Sequence, residues 1–139
     1  MNTVSLHTVA YQEMARHLGA CYPYEGCGFL LGLGNERKEI LKVLAVRNMH
    51  EGDHRRRYRI TPEDYRMAEQ FAASAGMELL GIYHSHPDHP ARPSEEDRLQ
   101  AVPFFSYIIA GVSNSKVDRV TSWQLNDEGQ LEEEKIEIT

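Results

Sequence analysis

The chain has 139 residues, with 15 Lys and Arg against 21 Asp and Glu, a net charge of −6 with histidine neutral. At 41% hydrophobic and 26% charged it has a globular composition, and its length supports one compact domain, expected here over residues 1–139. Apolar runs such as Ile108–Val112 fall far short of the ~20 residues that span a bilayer. The opening MNTVSLHTVAYQ has neither a basic start nor an apolar run, so a cytoplasmic location without a membrane partner is expected. Net acidity with no basic half argues against nucleic acid. Cys21 and Cys27 alone make neither a disulfide scaffold nor a thiolate metal site.

Leu6, Val9, Ala10, Met14, Leu18 and Cys21 recur at the helical period, predicting an amphipathic helix from Leu6 to Cys21 that ends near Tyr22–Pro23. In EGCGFLLGLG, residues 25–34, Cys27, Phe29, Leu31 and Leu33 alternate with a face rich in glycine. This predicts a strand whose bare face admits close approach of backbone or ligand. A second strand is expected over Glu39–Val46, a polar loop over His50–Arg57 and a short strand over Tyr58–Ile60. Thr61, Pro62 and Asp64 form a strong helix start, and Gly76 closes that helix.

A strand over Glu78–His86 follows and stops at Pro87. Three prolines interrupt residues 87–93, after which Ser94 and Asp97 read as a capping box for a short helix limited by Pro103. Phe104–Val112 and Val117–Leu125 form a strand pair, and the acidic tail leaves room for a last strand. The order predicts an α/β domain, a curved mixed β-sheet flanked by helices.

His84 and His86, two apart at a strand end, project to the same side. With one carboxylate they make a three-ligand set suited to Zn2+, leaving a fourth position for water as catalytic sites do. The third ligand is Asp97 or His89, and Asp97 has a competing duty as the capping partner of Ser94. Glu25 supplies the non-ligand carboxylate that proton transfer needs, or is a surface acid. The stretch RRRYR at 55–59 is a solvated loop or a patch for an acidic partner.

Together these residues resemble the JAMM, or MPN-plus, metalloprotease domain, whose pattern is an upstream glutamate followed by HxHPx(6)SxxD. Glu25, His84-Ser85-His86-Pro87, Ser94 and Asp97 fill every position. The resemblance implies that His84, His86 and Asp97 bind zinc, and it demotes His89. It implies that Glu25 is the general base that moves a proton from the zinc-bound water to the leaving amine. It further implies that Ser94 hydrogen-bonds the oxygen on which charge develops, in tension with its capping duty, and it gives Ser85 no chemical role. The short connections resemble the minimal bacterial type. That type implies cleavage of an amide or isopeptide after the C-terminal Gly-Gly of a small ubiquitin-like sulfur-carrier protein. Strand addition of the tail at the glycine-rich strand fits such a substrate. The rivals are a non-catalytic MPN-type scaffold and a hydrolase of small peptides. A deaminase-like zinc site is disfavoured, because the cysteines lack the PCxxC spacing. Oligomeric state is not legible in the sequence.

Overall fold

A computed structural model describes residues 2–47 and 58–139. The expected loop over His50–Arg57, including Arg55–Arg57 of the basic stretch, lies outside the described residues. Among the described residues, seven strands and three helices run in the order β1 (Thr3–Leu6), α1 (Thr8–Cys21), β2 (Cys27–Gly34), β3 (Lys38–Val46), α2 (Pro62–Ser74), β4 (Glu78–Pro87), α3 (Glu95–Gln100), β5 (Ser106–Ser113), β6 (Lys116–Leu125) and β7 (Leu131–Ile138). The strands form one closed mixed sheet in the order β1-β3-β2-β4-β5-β6-β7. Among the described residues no helix is long and apolar enough to cross a membrane.

The predicted first helix begins later than its apolar spacing implied. Its first expected residue, Leu6, instead ends a strand, Thr3–Leu6, that runs parallel to both β3 and β7 and closes the sheet. Val4 and Leu6 are buried there, so at Leu6 strand pairing overrides the helical pattern. Ala10, Met14 and Leu18 then form the buried stripe by which α1 packs against β3 and β6. Tyr58–Ile60 forms no strand. It leads into α2, where Thr61 and Asp64 make the expected reciprocal cap.

The sheet separates two apolar layers. On the α1 side lie Leu30, Leu80, Tyr83 and Ile108; on the α2 side lie Phe29, Leu31, Ile82 and Tyr107. Leu80 and Ile82 fall on opposite sides because Leu80 is the extra residue of a bulge opposite Leu30 and Leu31. From Ile82 onward simple alternation holds. It turns His84 and His86 toward the α2 side, and Tyr83 and Ser85 away from it.

The glycine-rich strand does not offer the free edge that strand addition requires. β2 is paired on both sides, by β3 and β4. Its bare face is filled from within: a Cβ on Gly28 would lie 2.4 Å from the Tyr83 ring, and one on Gly32 would lie 1.8 Å from the Glu39 carbonyl oxygen. These glycines admit the protein's own atoms, so the expectation of tail binding there is corrected.

Candidate metal centre

The end of β4 and the first turn of α3 meet at one point. His84 Nε2 lies 3.2 Å from Asp97 Oδ1, His86 Nε2 lies 3.2 Å from Asp97 Oδ2, and the two ring nitrogens are 3.1 Å apart. His84, His86 and Asp97 are the group of potential metal ligands among the described residues. Asp97 therefore takes the third place and His89 does not, although His89 lines the same cleft.

The fit to zinc can be tested on these distances. Four ligands tetrahedrally arranged at about 2.0–2.1 Å from zinc stand roughly 3.3 Å from one another. The three observed separations of 3.1–3.2 Å come close to that spacing. The ring tautomer agrees as well. His86 Nδ1 lies 2.9 Å from the Pro90 carbonyl oxygen, an acceptor only, so Nδ1 carries the hydrogen and Nε2 presents its lone pair to the cluster. His84 is oriented differently. Its Nδ1 is buried without a hydrogen-bond partner among the described residues, and its ring is stacked on Tyr58.

Asp97 holds its place through α3. Ser94 Oγ accepts from Asp97 N at 3.0 Å, and Ser94 N donates to Asp97 Oδ2 at 2.8 Å, a capping box as predicted. The helix cap and the ligand set thus share one carboxylate. Ser94 uses a lone pair in the cap and keeps its O–H hydrogen, so capping and donation toward the cleft are compatible.

The electrostatics follow. Burial acts to raise the Asp97 pKa, but its contacts with His84 and His86 hold it well below the usual carboxylate range. Burial likewise acts to lower the His86 pKa, and the bonds to Asp97 and Pro90 reverse this, so its net shift is upward. A cation seated among these atoms would replace the protons that satisfy them. Cys27, paired with His84 across the ladder, is not among the clustered ligand atoms, and burial pushes its thiol up to about 12.

A cleft of about 310 Å3 opens over the cluster, walled by Glu25, Tyr58, His86, Ser94 and Asp97 among others. Glu25 is only 6% exposed and its charge favours the protonated form of His86, so it belongs to the site and not to the surface. The sequence reading missed Tyr58. Its signal was an aromatic alternating with Ile60 inside a basic stretch, where loop residues are ordinarily polar.

A family model described as prokaryotic homologs of the JAB domain matches residues 7–126. The chain belongs to that family. Its His84–His86–Asp97 cluster has the geometry of a JAMM-type zinc site. This JAB-domain chain is 34% identical over 100 residues to the probable TtuB-protein conjugate cleaving protease of Thermus thermophilus, a match covering 72% of this chain and 64% of that protein. It is 31% identical over 114 residues to the desampylase of Pyrococcus furiosus, covering 82% and 76% respectively. The chain thus spans just under two thirds of the first relative's length. The JAB-domain chain also superposes on the solution structure of a Desulfitobacterium hafniense protein with a TM-score of 0.85 at 28% identity, covering 98% of this chain and 92% of that one.

Proposed function

We propose that this protein is a zinc-dependent peptidase that cleaves an amide or isopeptide bond after the C-terminal Gly-Gly of a small ubiquitin-like sulfur-carrier protein. The observation that carries the reading is the convergence of His84, His86 and Asp97 in a cleft that Glu25 and Ser94 also line. Names of relatives support the substrate class: one is named a probable TtuB-protein conjugate cleaving protease and another a desampylase. The catalytic unit is taken as residues 1–139, acting in the cytoplasm.

His84 and His86 would hold zinc through Nε2, and Asp97 through a carboxylate oxygen. When bound, the ion supplies Lewis acidity, which polarises the scissile carbonyl and acidifies a water. Glu25 takes up the proton released from the attacking water at a carboxylate oxygen and returns it to the leaving nitrogen. Ser94 Oγ–H donates to the carbonyl oxygen as negative charge builds there. Pro90, through its carbonyl, keeps the His86 proton on Nδ1, away from the cleft.

Mass spectrometry tests the reading. Zinc-loaded protein is incubated with a Gly-Gly-tailed ubiquitin-like carrier extended by one residue, and with the same carrier in isopeptide linkage to a lysine. Loss of the added group, reduced to a residual rate in Glu25→Ala, is the expected result. An inert wild-type protein that binds the carrier without cutting it would instead favour the scaffold reading.

A further inference from the structure

Glu25 stands in a segment without helix or strand, residues 22–26, yet its carboxylate must keep a fixed place beside the metal ligands. The β2–β4 ladder ends with Cys27 opposite His84. One rung further, Ser85 N donates to the Gly26 carbonyl at 3.0 Å, and Gly26 N donates to Ser85 Oγ at 2.9 Å. The side chain of Ser85 thus takes the acceptor role that strand backbone supplies elsewhere in the ladder. Carrying the antiparallel register one residue on brings Glu25 beside His86.

We infer that Ser85 is a positioning residue for Glu25, clamping Gly26 to the strand that carries both histidine ligands. Ser85 is completely buried and its side chain leaves β4 on the face opposite the imidazoles, so it cannot touch substrate or metal. The clamp is closed from the other side by α1: a Cβ on Gly26 would lie 2.9 Å from Cys21 Sγ and from Leu18 Cδ2. Gly26 is held between helix and strand, and the residue before it inherits that placement. One strand therefore sets the ligands with its even positions and the proton acceptor with the odd position between them.

The inference rests on Glu25 being the proton acceptor, and the test separates the two. Wild type, Ser85→Ala, Glu25→Ala and the double variant are loaded with zinc and assayed on the one-residue-extended carrier. Ser85→Ala should lower kcat on the order of 10²-fold with KM and zinc affinity unchanged, the effect of a displaced catalytic group. Adding Ser85→Ala to Glu25→Ala should cost no further turnover, because the two act as a unit. In the zinc-free protein, the Gly26 amide should exchange its hydrogen faster in Ser85→Ala, while Phe29 and Ile82 stay protected. Wild-type kcat in Ser85→Ala, or an equal loss in the Glu25→Ala background, overturns the inference while leaving Glu25 in place. Full turnover in Glu25→Ala overturns the role of Glu25 and this inference with it. If Ser85→Ala does not fold, Ser85→Cys, close in size but a weak acceptor, is read by the same criteria.

Discussion

The Tyr58 ring lies stacked on His84, centroids 4.6 Å apart and planes inclined by 27°. His84 is 1% exposed, and among the described residues its Nδ1 has no hydrogen-bond partner, so this stack does the orienting that a carbonyl does for His86. Tyr58→Ala should weaken zinc binding by about tenfold, the lower end for loss of a ligand-orienting partner. Tyr58→Phe keeps the ring and should keep the affinity. Competition with a chromophoric chelator reads both; equal weakening in the two variants would move the effect from the ring to the hydroxyl.

Ser94 carries two duties that substitution can separate. Ser94→Ala removes the acceptor of the α3 cap and should cost about 1 kcal/mol, whereas Ser94→Gly should cost only a few tenths. Both lose the hydroxyl donor, so both should lower kcat by about 10²–10³-fold if that donor meets the developing oxyanion. Denaturant titration and steady-state kinetics on one set of preparations check this. A Ser94→Gly protein with wild-type kcat would leave Ser94 a cap and nothing more.

Gly28 tests the claim that the glycine-rich face is filled from within. A methyl there would meet Cε2, Cζ and Oη of Tyr83 at 2.4–2.5 Å, and that hydroxyl is already bonded to His17 Nδ1 at 2.7 Å. Gly28→Ala should destabilise by about 1–3 kcal/mol through overpacking. Thermal unfolding measures it; an unchanged midpoint would mean that the face has room to spare.

His17 gives a pH signature away from the metal. Partial burial lowers its pKa from the ordinary histidine value of 6.5. Between that lowered value and 6.5 the unfolded chain binds more protons than the folded one, so stability rises with pH through the window. It is fully present above 6.5 and is lost as the pH falls through the folded value. In the zinc-free protein, His17→Gln should remove this component. The difference between wild-type and variant urea midpoints, followed from pH 5 to 7, isolates it from the opposite contribution of His86.

Much of the site was legible because strand and cap rules are local. His84 and His86 share a face by alternation alone, and the Ser94–Asp97 spacing that announces a helix start also delivers the third ligand. The rest depends on contacts between distant segments. β1 is four residues long and exists by pairing with β3 and β7, which no periodicity in Thr3–Leu6 reveals. The stack of Tyr58 on His84 and the bond from Gly26 to Ser85 join positions 26 and 59 residues apart, so Ser85 read as a silent motif position. The bulge at Leu80 shifts the alternation of β4, and only the register with β2 shows where the correct phase begins.

The central claim is that His84, His86 and Asp97 hold one zinc ion that Glu25 serves without binding. The most direct measurement is zinc bound per chain after dialysis, in wild type, His84→Ala and Glu25→Ala. One ion per chain in wild type and Glu25→Ala, with none in His84→Ala, is the predicted result. Full zinc occupancy in His84→Ala, or loss of zinc in Glu25→Ala, would contradict it.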